Sequence, residues 1–129
     1  MKTIFTNGCF DILHRGHVEL LKFCSTHGKV VVGLNSDKSI KSIKGKSRPL
    51  NNQADRELLL RSIKYVDDVV IFNEDTPITL IKTIKPDIIV KGGDYSIDDV
   101  IGNDICEVII FNYIDGYSTT KIIQNIGDR

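Results

Sequence analysis

The sequence predicts a doubly wound α/β fold: a five-stranded parallel sheet with helices on both faces. Two observations predict it. Short runs rich in β-branched residues recur along the chain and are nearly continuous in apolar character, as strands covered on both faces require. Between them lie segments with helical spacing, so strand and helix alternate, which implies parallel pairing through right-handed crossovers. At 129 residues the chain suits one domain, 1–129, able to bury about two-thirds of its unfolded surface.

The strands are expected at Thr3 to Thr6, Val30 to Leu34, Asp68 to Phe72, Ile88 to Lys91 and Val108 to Phe111. Val18, Leu20, Leu21 and Phe23 supply the first helix, which Gly28 is expected to end. The second begins at Asn52, a cap residue followed three positions later by Asp55, and carries Leu58, Leu59, Leu60 and Ile63. The third opens at Thr76-Pro77, with proline at its first position, and runs through Leu80, Ile81 and Ile84 up to Pro86. A short turn near Ile97 to Ile101 precedes the last strand. The final helix begins near Ser118, continues through Ile122, Ile123 and Ile126, and has Gly127 as its expected cap.

Seventeen basic and seventeen acidic side chains leave a formal net charge of zero. A general nucleic-acid coat or membrane-surface binder draws on a large excess of cations, so neither is expected. No apolar run approaches the ~20 residues of a membrane span. Met1 to Gly8 lacks the apolar region of a signal peptide, so export is not expected. Three cysteines, Cys9, Cys24 and Cys106, fit reduced thiols in a cytoplasm. The neutral total hides a segregated distribution: five cations and no acid occur from Lys38 to Arg48.

In doubly wound sheets ligands bind beyond the carboxyl ends of the strands, so chemistry is expected in the segments that follow them. After the first strand, two of the three histidines, His14 and His17, fall within four positions. Gly8 and Gly16 let backbone pass close to a ligand. His17 stands where a helix start favours an anion, and the imidazoles could donate to phosphate oxygens as charge builds. Helix capping explains the same residues, and a metal pair is a third reading that no further His or Cys cluster completes.

After the second strand, Lys38 to Arg48 reads as a flexible cationic lid over a polyphosphate or as a solvated loop. Gly45-Lys46-Ser47 imitates the end of a P-loop, but position 40 is Ile40 where that motif needs glycine. Arg56 follows the cap of the second helix, within reach of that lid or simply at the surface. Asn73 to Thr76 reads as helix entry, without a catalytic role. After the fourth strand, Gly92 and Gly93 permit close approach to a planar ligand, and Asp94 could accept from a base amine or ribose hydroxyl; a plain turn explains them equally. After the fifth, Gly116 precedes Ser118, Thr119 and Thr120, hydroxyls that would converge with helix N–H groups on one phosphate.

Taken together, these segments resemble the cytidylyltransferase-like family of nucleotidyltransferases across essentially the whole chain. His14-Arg15-Gly16-His17 resembles its HxGH signature, and Gly116-Tyr117-Ser118-Thr119-Thr120 its second signature. Asn7 to Asp11, Gly45 to Pro49 and Val90 to Tyr95 are most similar to the adenylyltransferase branch found in bifunctional heptose-synthesis enzymes. No room remains for the kinase domain of those enzymes, so a stand-alone transferase is expected.

The resemblance implies a Rossmann-like fold of the nucleotidyltransferase type and a reaction in which a sugar or polyol phosphate attacks the α-phosphorus of a nucleoside triphosphate, releasing pyrophosphate. It implies that His14 and His17 steady the α-phosphate and that Lys44 and Lys46 neutralise phosphates. Cys9, Phe10, Asp11, Gly16 and Arg56 would contact or line the nucleotide site. Gly92, Gly93 and Asp94 would meet the nucleoside, and Gly116 with Ser118, Thr119 and Thr120 the β- and γ-phosphates. Mg²⁺ would ride on the triphosphate without protein ligands of its own, and the assembly would be a homodimer. Glycerol-3-phosphate cytidylyltransferases carry Arg-Thr-x-Gly before the hydroxyl run. This chain has Tyr113-Ile114-Asp115-Gly116, which favours ATP and heptose 1-phosphate over CTP and a polyol phosphate. A non-catalytic nucleotide-binding module is the reading from another class.

Overall fold

The computed structural model describes residues 1–93, 95–112 and 119–127, with 119–121 described by backbone alone. Asp94, Gly116 and Ser118, and the side chains of Thr119 and Thr120, therefore lie outside the described residues.

The five expected strands are present as β1 (Thr3–Gly8), β2 (Lys29–Asn35), β3 (Asp68–Phe72), β4 (Ile88–Gly92) and β5 (Glu107–Phe111). They form one parallel sheet in the order β3-β2-β1-β4-β5. The helices are α1 (Arg15–Ser25), α2 (Asp37–Lys44), α3 (Gln53–Arg61), α4 (Ile78–Ile84) and α5 (Thr119–Gly127), with a 3-10 turn at Ile97–Asp99. Among the described residues no helix is long and apolar enough to cross a membrane.

Alternate strand positions feed two cores, as the period of two demands. Ile4, Val30, Val32, Val69, Ile88 and Val90 pack with Leu20, Leu21 and Cys24 of α1 and Leu60 of α3. Phe5, Val31, Ile89 and Val108 point the other way and pack with Ile81 of α4 and Val100. Both faces are thus covered, which is why the strands read as continuous apolar runs. Where β2 crosses Phe5 it carries Gly33, since a Cβ there would stand 2.7 Å from the Phe5 ring.

Four local expectations are corrected. Gly28 does not end α1: the helix stops at Ser25 with Thr26 as its cap, and Gly28 instead lets the chain pass the Lys2 carbonyl, which a Cβ would strike. Pro77 is the residue before α4 rather than its first, and Lys85, in left-handed conformation at φ 53, closes that helix ahead of Pro86. Gly127 lies within α5 rather than beyond it. Most of the supposed lid is helical. Asp37–Lys44 forms α2, capped by the Ser36 hydroxyl, which accepts from the Ser39 N–H. The helix is short and has a narrow buried stripe of Ser39 and Ile40, so its lysines dominated the pattern.

Strand order reverses between β1 and β4. There the ladder is short: Ile4 and Phe5 face Ile88 and Ile89, whereas β1 follows β2 out to Gly8 and β4 follows β5 out to Gly92. The two central strands part toward their carboxyl ends, and a crevice opens between them.

Candidate active site

That crevice is a cleft of about 500 Å³. Gly8 and Gly92 lie at the parting strand ends. One wall is the β1–α1 loop with His14, His17 and Leu20 of α1, and another is Ile43 and Lys44 of α2 with Arg48. The remaining rim comes from Asp75 to Pro77 and from Tyr95 and Asp99 to Ile101.

Phe10 holds the turn out of β1. It sits at φ 48, a costly conformation for a residue with a Cβ, and its buried ring packs 5.0 Å from the His17 ring. Gly8 accommodates that ring, because a Cβ there would lie 3.1 Å from it.

The two histidines form one unit. His14 caps α1, its Nδ1 accepting from the Gly16 N–H at 3.1 Å, while His17 Nδ1 accepts from the His14 N–H at 3.3 Å. Their rings stack with centroids 3.8 Å apart. A nitrogen that accepts from backbone is unprotonated, so in both neutral rings the proton sits on Nε2. Burial, then the neighbouring His14 and Lys44, push the His17 imidazole down to about 3, and burial lowers His14 as well. The cap thus fixes ring direction and tautomer, and each Nε2–H is a neutral donor. Among the described residues no three His, Cys, Asp or Glu side chains are grouped to hold a metal.

Asp11 is buried, and its carboxylate faces the following loop. It accepts from the N–H groups of Leu50 and Asn51, each at 2.9 Å, and from Arg48 Nε at 3.1 Å. Burial raises this carboxyl, but the Asn51 and Leu50 N–H groups and Arg48 outweigh it and leave it below its ordinary value. The clasp fastens the 45–51 loop over the β1–α1 turn. Arg48 keeps its Nη2 buried with no hydrogen-bond partner among the described residues.

Arg56 has no exposed surface and is not part of the cleft wall. Its guanidinium donates to the carbonyls of Asn51, Cys9 and Asn35 and to Asp37 Oδ1 at 2.7 Å. It ties the ends of β1 and β2 to α2, a role the sequence reading as a nucleotide contact did not foresee. Gly16 and Gly93 are likewise set back from the cleft. The Gly16 N–H is taken by the His14 cap, and the Gly93 N–H donates to the Phe111 carbonyl at 3.0 Å. Lys44 reaches the cleft at the end of α2, whereas Lys46 is exposed beyond it. Cys9 lines the cleft as a thiol raised by burial against the opposing pull of Lys44, Arg56 and Arg48.

Sequence reasoning missed Lys91 and Arg48 as site residues and passed over Asp75 to Pro77. Lys91 extends from the end of β4 into the cleft, with its ammonium 5.0 Å from the Tyr95 ring centre, and burial lowers it while Cys9 opposes. A cation closing an apolar strand at the reversal point was the available signal. The assembled groups are two neutral imidazole donors, the cations Lys44, Arg48 and Lys91, the Asp11 carboxylate engaged by Arg48, Asp75 and Asp99 on the rim, and backbone that approaches closely. They can bind and stabilise phosphate charge.

This fold, with ligand groups gathered at the reversal of a 3-2-1-4-5 sheet, defines the doubly wound nucleotide-binding class. Residues 5–125 match the model of the cytidylyltransferase-like family, and the chain belongs to it. It is 54% identical over 130 residues to the bifunctional protein HldE of Aliarcobacter butzleri, covering 99% of this chain and 27% of that protein. The HldE of Geobacter metallireducens is 49% identical over 131 residues, with 97% and 27% covered. The chain thus spans about a quarter of the length of these relatives. The crystal structure of the lipopolysaccharide core biosynthesis protein from Thermoplasma volcanium superposes with a TM-score of 0.73 at 28% identity, covering 92% of this chain and 99% of that one.

Proposed function

We propose that this chain is a nucleotidyltransferase that moves the adenylyl group of ATP onto a sugar phosphate, heptose 1-phosphate, and releases pyrophosphate. The observation that carries the reading is the His14–His17 pair, stacked and fixed as Nε2–H donors at the mouth of a crevice that Lys44, Arg48 and Lys91 also line. The similarity to HldE proteins supports the acceptor and the base.

The acceptor's phosphate oxygen forms a bond to the α-phosphorus as the bond to the β-phosphate oxygen breaks, and the electron pair leaves with pyrophosphate. Such a transfer needs positioning and charge stabilisation rather than a protein nucleophile. His14 and His17 would donate to the α-phosphate oxygens without surrendering a proton. Lys44 and Lys91 would offset the charge of the triphosphate. Gly92 would let the nucleotide lie close to β4. Mg²⁺ supplies further charge neutralisation when bound on the triphosphate. The described residues fit that arrangement: Lys44, Arg48 and Lys91 line the cleft, the Asp11 carboxylate is already engaged, and Asp75 and Asp99 on the rim are not part of any group of three possible metal ligands among them. The family resemblance also implies a homodimer and a cytoplasmic setting.

The test is pyrophosphate release by the purified chain with Mg²⁺, crossing ATP and CTP with heptose 1-phosphate and glycerol 3-phosphate. Turnover confined to ATP with heptose 1-phosphate is expected. Turnover only with CTP and glycerol 3-phosphate would replace this assignment with the cytidylyltransferase one, and nucleotide binding without turnover would mark a non-catalytic module.

A further inference from the structure

We infer that Arg48 is the receptor for the acceptor's phosphate, holding the attacking group apart from the residues that hold the nucleotide; this rests on the transferase reading above. The guanidinium is anchored through Nε on Asp11 Oδ2 at 3.1 Å, and the side chain is only 15% exposed. Its Nη2 is buried with no hydrogen-bond partner among the described residues, yet the residue lines the cleft. A buried donor left unmade is costly, so its partner is an anion that enters the cleft.

Position selects which anion. Arg48 arrives from the segment between α2 and α3, on the β2 side of β1, while the glycine end of β4 lies on the other side of β1. A group held by Arg48 therefore approaches from the flank opposite the proposed nucleoside contact, with the imidazole pair at the mouth of α1. Charge points the same way. Lys44, on the same wall, has no carboxylate ion-pair partner among the described residues, whereas Arg48 is paired with Asp11. An unpaired cation would draw charge from an attacking oxygen. A paired guanidinium orients the phosphate through a planar fork and leaves it nucleophilic. In the step itself, the acceptor dianion's oxygen bonds to the α-phosphorus and the α–β bridging oxygen departs with pyrophosphate. Six negative charges enter on the two substrates and six leave on the two products.

The experiment varies both substrates for the wild-type chain and for Arg48→Lys and Arg48→Ala, with circular dichroism to verify folding. Lysine can keep a charge near Asp11 but loses the fork, so it remains informative if the alanine variant unfolds. The expected result is an acceptor KM raised at least tenfold, an ATP KM within twofold, and unchanged binding of a non-hydrolysable ATP analogue by calorimetry. Weakened analogue binding with an unchanged acceptor KM would overturn the inference and give Arg48 to the nucleotide. Unchanged constants in the lysine variant would overturn it as well. If the wild-type chain turns over no pair, the transferase reading fails separately, and calorimetry with the sugar phosphate alone still decides the matter. Loss of that binding in Arg48→Lys supports a phosphate receptor, and equal binding refutes it.

Discussion

Arg56 Nη2 donates to Asp37 Oδ1 at 2.7 Å from a side chain with no exposed surface, while its Nη1 bridges the Cys9 and Asn35 carbonyls. One guanidinium thus joins the exits of β1 and β2 to the first turn of α2. Lys44, seven residues beyond Asp37, is presented from the far end of that helix. The cationic wall of the cleft is therefore set by a residue that does not line it.

Arg56→Ala should destabilise the fold by about 3–5 kcal/mol, because it leaves three carbonyls and a carboxylate without their donor. Urea denaturation reads this as a lowered midpoint at unchanged slope. Arg56→Lys should recover only part of the loss, since an ammonium cannot span all four acceptors. An unchanged midpoint with a raised ATP KM would instead make Arg56 a nucleotide ligand.

His17→Ala should cut kcat by ~10²-fold or more, the cost of one charge-stabilising donor. It should lower stability by only about 1 kcal/mol, for the lost side-chain acceptor at the start of α1. Near-normal turnover in a folded variant would remove the imidazole pair from the mechanism.

The neutral histidines also leave a signature in stability against pH. His17 is held down to about 3, and His14 is lowered too. The unfolded chain therefore binds protons near pH 6.5 that the folded chain refuses. Stability is fully present above pH 6.5 and falls as pH drops below it, at up to ~1.4 kcal/mol per pH unit for His17 alone. Asp11, also lowered, acts in the same direction but only below the ordinary carboxylate range. Urea midpoints from pH 7.5 to 4.5 should fall steeply in the wild type and less steeply in His17→Ala. Parallel slopes would show that His17 titrates normally.

The sheet was legible in the sequence because burial on both faces writes itself as uninterrupted β-branched runs, and all five expected strands lie within a residue or two of the observed ones. The gathering of segments that follow strands around one cleft was legible for the same reason. His14, His17 and Lys44 do meet in the cleft. What local pattern could not reveal was direction. Arg56 and Asp11 were recognisable as polar groups near the site, but whether a guanidinium faces the cleft or a neighbouring strand end depends on where α2 and the 45–51 loop pack. Helix α2 was hidden because its eight residues carry three lysines, Lys38, Lys41 and Lys44, against two buried residues, Ser39 and Ile40. Arg48 and Lys91 stood within segments the sequence did single out, but which cation of a run turns into the cleft depends on how the 45–51 loop and the end of β4 pack.

Asp11→Asn should separate the clasp from the chemistry. The carboxylate now accepts two N–H groups from the 45–51 loop and pairs with Arg48, and an amide preserves shape but offers one acceptor oxygen and no charge. A loss of about 2–3 kcal/mol is expected, in the range of hydrogen bonds to a charged group. Because Arg48 loses its anchor, the acceptor KM should also rise while binding of a non-hydrolysable ATP analogue stays near normal. Proteolysis should cut first between positions 45 and 51, where the loop is released. If the variant instead kept its stability and lost nucleotide affinity, Asp11 would be a ligand of the nucleotide and the loop would need another fastening.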